Sequence, residues 1–200
     1  MMPATAIPIL LDLAGKNILL VGAGAVAARK LLSLTDRKAK ITILASQVSP
    51  AVLKQAKGRV AKILKRAYKK SDLKGRDLVF ALTQDATLNQ KIASACAKRG
   101  VLCNSATEAS QSFLMTSFFE RGDLVLAVST RGAVPFLAKA VRRHLEKLFD
   151  ASWALRVVRL KSLRARLIKS SQLRILKRLA KMTLEQLKQL ADKGEAYLDD

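Results

Sequence analysis

Two cysteines, one histidine, four prolines and one tryptophan in 200 residues leave several common chemistries without material. With His144 as the single histidine, no His pair can form and the usual imidazole metal centres are excluded; a helix-surface role suits it better. Cys96 and Cys103 stand seven apart around a helix-to-strand junction, a spacing that offers neither a disulfide framework nor a structural zinc site. They read as buried thiols. Aromatic residues make up 4% of the chain, too few to build base-stacking platforms for single strands. Long apolar runs are missing too: Asp12, Lys16 and Asn17 break the N-terminal stretches, and no basic head with a small-residue cleavage site precedes them. A soluble, cytoplasmic protein is expected, without membrane attachment.

Acids are scarce as well, 15 against 37 Lys and Arg, giving a net charge of +22. A field of that sign favours polyanions. Its densest run extends from Arg156 through Arg164, Arg166, Lys169, Arg174, Lys177 and Arg178 to Lys181. Nucleic acid is the first partner such charge suggests, but no zinc finger, RNP or basic-zipper pattern accompanies it, which counts against that reading. A solvated basic surface is the plain alternative, and a small substrate with many carboxylates the third.

What the chain does contain is an apolar run, Ile18-Leu19-Leu20-Val21, that breaks into Gly22-Ala23-Gly24-Ala25-Val26-Ala27 and then into a helical pattern. A buried parallel strand needs continuous apolar side chains, the first glycine permits a tight turn, and the second lets the backbone approach a diphosphate at the helix N-terminus. Ala27 supplies the third small residue. A second β-like run, Ala39 to Ala45, begins one helix length later, as a βαβ unit requires. The acidic residue that commonly ends this second strand is absent. Ala45, Ser46 and Gln47 stand there, leaving Ser46 and Gln47 to hydrogen-bond the adenosine ribose.

Further along, Pro50 to Lys57 reads as a helix capped by Ser49, Val60 to Leu64 and Asp77 to Leu82 as strands, Ala86 to Lys98 as a helix closed by Gly100, and Val101 to Asn104 as a strand. This alternation predicts an α/β doubly wound, Rossmann-like parallel sheet. Ile7 to Leu13 reads as an edge strand or a lead-in. Phe113 to Phe119 and Asp123 to Ser129 read as an antiparallel pair turning at Glu120-Arg121-Gly122, and a helix follows from Phe136 to Leu148. Leucines at helical spacing from Leu155 to Leu190 predict a helical C-terminal appendage.

Taken together, Pro8 to Lys16, the Gly22 to Lys30 turn, Ala81-Leu82-Thr83-Gln84-Asp85 with Leu88-Asn89, Val101 to Asn104, Phe113-Leu114-Met115, and Val128 to Ala138 resemble the precorrin-2 dehydrogenase and sirohydrochlorin ferrochelatase family. This is the N-terminal part of sirohaem synthase, also found as a stand-alone form, and the resemblance covers essentially the whole chain. It implies a Rossmann NAD-binding domain over 1–112, a small α+β dimerisation segment over 113–150, and a helical domain over 151–200. It implies NAD-dependent oxidation of precorrin-2 to sirohydrochlorin by a homodimer, with Fe(II) insertion as a second activity of some members. The length leaves no room for the methyltransferase domain of the fused form. A tetrapyrrole with acetate and propionate arms is a small polyanion, which fits the charge.

Beside Ser46 and Gln47 and with Arg131 as a further substrate-binding candidate, the same resemblance implies cofactor contacts from Gly22, Gly24, Ala25, Val26 and Thr83, and substrate contacts from Asn104 and Ser129. It places an aspartate, the proton acceptor, shortly after Asn104. Here direct counting puts Thr107 there, while a one-residue slide brings Glu108 in; Glu108 can act as a base, whereas Thr107 can only position a proton or water. Arg131 interrupts a Thr-Gly-Gly pattern and offers a fork for a substrate carboxylate. No resident metal is expected. The alternative is a non-catalytic tetrapyrrole-binding or regulatory protein on the same scaffold, suggested by the displaced acid.

Overall fold

The computed structural model describes residues 5–34, 36–57, 61–107 and 111–194. The chain divides into two compact units, Met1–Met115 and Thr116–Asp200. In the first, β1 (Asn17–Val21), β2 (Lys40–Leu44), β3 (Ala61–Leu64), β4 (Leu78–Ala81) and β5 (Leu102–Ser105) form one parallel sheet in the order β3-β2-β1-β4-β5. β1 is central because its run is apolar on both faces: Ile18, Leu19 and Leu20 are wholly buried. Ile18 and Leu20 face α1 (Ala25–Leu34) and α2 (Pro50–Ala56), while Leu19 and Val21 face α3 (Ala86–Ala97) and a short 3-10 turn, Lys70–Leu73. Each such side chain contributes about 1.5–3 kcal/mol through burial.

The caps follow the sequence closely. Ser49 accepts a hydrogen bond from the Val52 amide at 3.4 Å, with Pro50 opening α2, and Asp85 caps α3 through the Leu88 amide at 3.0 Å. The 3-10 turn is pinned by Arg66, whose guanidinium donates two hydrogen bonds to the Asp72 carboxylate, at 2.9 and 2.5 Å. Asp72 also accepts from the Lys69 amide at 2.8 Å. The Arg66 hydrogen bonds, helped by that amide, hold the Asp72 carboxyl below its ordinary range. A depressed native pKa stabilises the fold above the unfolded value of about 4 and ceases to do so as pH falls through the native value. Asp72→Asn is therefore expected to cost about 1–3 kcal/mol at neutral pH, and the gap to wild type should close in acid. Thermal melts across pH check this, a gap that persists at low pH being the contrary result.

Of the two readings open for residues 7–13, the structure realises the lead-in: they form no strand, and Leu13 alone packs on the core. One extended stretch differs from expectation. The segment expected to be strand from Phe113 begins pairing only at Ser117. Phe113 and Met115 instead turn into the α1 face of the core, where the Phe113 ring meets the buried Phe80 ring edge-on at 5.7 Å.

In the second unit, β6 (Ser117–Arg121) and β7 (Leu124–Val128) pair antiparallel, turning at Gly122-Asp123 rather than across Glu120 to Gly122. Gly122 takes φ +59°, a conformation glycine adopts without strain. The hairpin packs on α4 (Pro135–Leu148), and α5 (Ser152–Lys169), α6 (Leu173–Leu179) and α7 (Leu184–Lys193) follow. Leu163, Leu167 and Leu190 are the buried centre of the helical part. Arg156 clamps α5 to α7 through Asp192 at 3.0 and 2.9 Å. No described helix is long and apolar enough to cross a membrane.

Candidate dinucleotide site

Strand order reverses between β1 and β4, so the connections leaving those strands diverge and open a crevice at the carboxyl edge of the sheet. The residues facing that edge are Gly22 after β1, Ala45 to Gln47 after β2, Thr83 after β4, and Ala106 and Thr107 after β5.

The two glycines of the turn serve different masters. Gly22 takes φ +106°, and a Cβ placed there would lie 2.5 Å from the Leu82 carbonyl oxygen. Its amide donates to the Leu44 carbonyl at 2.8 Å, and the Leu82 amide donates to the Val21 carbonyl at 2.7 Å, so the turn is wedged between the ends of β2 and β4. Gly22 is thus required by the protein's own backbone. A methyl added at Gly24, by contrast, would meet nothing within 4 Å. The first helical bond of α1 runs from the Ala28 amide to the Gly24 carbonyl at 3.0 Å, which leaves the amides of Ala25, Val26 and Ala27 without helical acceptors. Gly24, Ala25 and Val26 are exposed, whereas Ala27 is buried against the sheet as the third small residue. Open ground beside three such donors fits a diphosphate.

Ser46 and Gln47 are exposed beyond β2, held near the glycine turn by the Ser49 amide, which donates to the Ala23 carbonyl at 3.0 Å. Beyond β4, Thr83 is fixed by Asn89, a residue buried on the sheet-facing side of α3. Asn89 Oδ1 accepts from the Thr83 amide and hydroxyl at 3.1 and 2.7 Å, and its Nδ2 donates to the Thr83 carbonyl at 2.9 Å. The sequence offers Asn89 only as part of a resemblance; the signal for its role is a polar residue on the buried stripe of α3, four after the cap. Lys30, a turn below Val26, carries no such signal. Its ammonium lies 5.9 Å from the Phe80 ring centre, and burial, then Arg29, lower its pKa.

At the end of β5 the expected substrate residue Asn104 is buried and its Nδ2 donates to the Gln111 side chain at 3.3 Å and the Phe113 carbonyl at 3.0 Å. Its amide donors therefore hold the following loop. Ser112 closes the sheet edge: its hydroxyl accepts from the Cys103 amide at 2.7 Å and its own amide donates to the Cys103 carbonyl at 2.8 Å. The Thr107 and Ser105 hydroxyls share a hydrogen bond of 2.9 Å, and the Thr107 amide donates to Ser105 Oγ at 3.2 Å. Glu108 lies outside the described residues. Cys96 and Cys103 are buried and unbridged; the hydrogen bond between them and burial push the Cys103 thiol up, so it stays protonated.

In the second unit, Ser129 and Arg131 are exposed on the turn between β7 and α4. Arg131 sits at φ +53° and Gly132 at +85°, while the Ala133 amide donates back to the Thr130 carbonyl at 3.0 Å. The Arg131 amide donates to Ser129 Oγ and the Val134 amide to Thr130 Oγ1, both at 3.0 Å. A non-glycine residue in this conformation is strained by roughly 1 kcal/mol, which explains why glycine belongs in the pattern that Arg131 interrupts. Arg131→Gly is expected to raise Tm by about 2–4 °C. A lower Tm in a thermal melt would contradict the strained-turn account. His144 is exposed on α4, and no group of three His, Cys, Asp or Glu converges on a metal position among the described residues.

A doubly wound parallel sheet with a Gly-x-Gly-x-x-Ala turn at its reversal point defines a dinucleotide-binding Rossmann unit. The chain belongs to the family described as putative NAD(P)-binding, whose model matches residues 9–118. It is 36% identical over 143 residues to the siroheme synthase of Psychromonas ingrahamii, covering 71% of this chain and 30% of that protein. It is 37% identical over 147 residues to siroheme synthase 1 of Serratia proteamaculans, covering 73% and 31%. The chain thus spans about a third of the length of these curated relatives. Among solved structures it resembles "SirC, precorrin-2 dehydrogenase", with a TM-score of 0.69, 25% identity, and coverage of 96% of this chain and 92% of that one.

Proposed function

We propose that this chain oxidises precorrin-2 to sirohydrochlorin in sirohaem biosynthesis, as a cytoplasmic enzyme. The observation that carries this reading is the likeness to a precorrin-2 dehydrogenase over almost the full length of both chains, joined to a glycine turn left open for a diphosphate. NAD, when bound, supplies the hydride acceptor; precorrin-2 gives up one hydride and one proton. The amides of Ala25 to Ala27 hold the diphosphate, Ser46 and Gln47 meet the adenosine ribose, and Thr83, locked by Asn89, shapes the wall beyond β4. Glu108 takes the proton, and the Thr107 hydroxyl, braced by Ser105, orients it. Asn104 supports that loop and touches substrate at most through its carbonyl oxygen, since its Nδ2 is engaged. Ser129 and Arg131 meet the macrocycle's carboxylates, with the wider excess of Lys and Arg drawing it in.

Residues 113–150 serve as the dimerisation segment. Leu137, Val141 and Leu148 recur on one stripe of α4 and are exposed together with Phe136, an apolar face suited to a second copy. A non-catalytic tetrapyrrole carrier is the second reading, favoured by the Thr107 hydroxyl standing where an acid is expected. Anaerobic turnover of precorrin-2 with NAD, with and without Fe(II), separates the two and also reports iron insertion. Wild type should form sirohydrochlorin and Glu108→Gln should lose most of the rate. Tight binding without turnover would leave the carrier.

A further inference from the structure

α1 carries a charge on the side that packs against the sheet. Ala27, Leu31 and Leu34 are buried there, and Lys30, three residues after Ala27 and four before Leu34, falls on the same stripe. Lys30 is accordingly half-buried, whereas its neighbour Arg29 is exposed. A lysine is seldom withdrawn from water without an acid beside it. Of the acids in this unit, Asp72 is engaged by Arg66, Asp77 by Asn17 and Lys16, and Asp85 by the cap of α3. Among the described residues no acid or other hydrogen-bond acceptor meets the Lys30 ammonium, which rests over the Phe80 ring, 5.9 Å from its centre.

Phe80 is the penultimate residue of β4; it pairs with Asn104 of β5 and meets Phe113 edge-on at 5.7 Å. Paired residues of neighbouring strands point to one face, so Lys30, Phe80 and Asn104 share the α1 side of the sheet close to its carboxyl edge. Helical side chains lean toward the N-terminus of their helix, and α1 begins at that edge. Asn104 has both Nδ2 donors engaged, on Gln111 and the Phe113 carbonyl, and is left only an acceptor. The ammonium is therefore the group of the two that can receive an anion.

We propose that Lys30 binds a carboxylate arm of the macrocycle, with the Phe80 and Phe113 rings as an apolar wall that strengthens the pair by keeping water from it. This rests on the precorrin-2 reading and adds a substrate-binding residue to it. Burial and Arg29 lower the Lys30 pKa, and an arriving acetate or propionate opposes both effects. The ring face offsets part of the cost of the half-buried charge until then.

Anaerobic titration of the full chain with sirohydrochlorin, which carries the same acetate and propionate arms, tests this without turnover, and ADP-ribose is the control ligand for the glycine turn. Lys30→Met keeps an unbranched apolar stem and removes the charge. Its affinity for sirohydrochlorin should fall about tenfold or more, while ADP-ribose affinity stays within about twofold of wild type. Its Tm should be no lower than that of wild type, because an unpaired charge has left the packed face. Lys30→Arg, which keeps a cation able to lie on the ring, should restore most of the sirohydrochlorin affinity. Unchanged sirohydrochlorin binding by Lys30→Met would mean that the head merely reaches solvent past its stem, and overturns the proposal. Equal loss of both ligands with a lower Tm overturns it too, by making Lys30 structural. A wild type that binds ADP-ribose but no sirohydrochlorin removes the precorrin-2 reading beneath it.

Discussion

Gly22→Ala should be among the most damaging single substitutions in the Rossmann unit, lowering stability by about 3–5 kcal/mol. The added methyl would meet the Leu82 carbonyl oxygen at 2.5 Å, its carbon at 2.7 Å and the Thr83 nitrogen at 2.9 Å. None of these is the tip of a flexible side chain. Relief would require β4 to slide from β1, whose register is fixed by the Val21↔Ala81 and Leu20↔Phe80 pairs and by wholly or nearly wholly buried side chains on both faces. The φ of +106° adds backbone strain for any residue with a Cβ. Against a total stability of about 5–15 kcal/mol, the variant should be largely unfolded or close to it. Urea denaturation followed by circular dichroism measures this, and a midpoint near wild type would mean that the turn relaxes.

Gly24→Ala should behave oppositely. Its methyl would meet no atom within 4 Å, and its φ is not in the left-handed range, so stability should stay within about 1 kcal/mol of wild type. The methyl would, however, stand on the ground where a diphosphate approaches the amides of Ala25 to Ala27. Affinity for ADP-ribose should fall about tenfold or more. The pair of glycines therefore separates folding from binding two residues apart. Undiminished binding by a folded Gly24→Ala protein would place the diphosphate elsewhere.

Much of this is legible in the sequence because local signals and tertiary demands agree. The apolar run before Gly22, Ser49-Pro50 at the start of α2 and Asp85 at the start of α3 each have one physically sensible reading, and each is realised. Phe113 to Thr116 reads as strand because its residues suit a sheet, yet the Phe80 ring and the Asn104 side chain draw Phe113 onto the core. Asn104 illustrates the limit at the site itself: a polar residue at a strand end reads equally as ligand contact or loop anchor, and only the position of Gln111 and Phe113 decides where its donors go. The Thr130 to Ala133 turn is hidden for another reason. Arginine gives no hint of a positive φ, so the strain at Arg131 emerges only from the backbone.

The central claim is that the carboxyl edge of this sheet brings a dinucleotide and precorrin-2 together for hydride transfer. Its most direct test is an anaerobic single-turnover experiment with protein in excess over precorrin-2 and saturating dinucleotide, following reduced nicotinamide and macrocycle absorbance together. One reduced dinucleotide should appear for each sirohydrochlorin formed, both with the same rate constant. Sirohydrochlorin without reduced dinucleotide, or neither product from protein that binds both ligands, would contradict it.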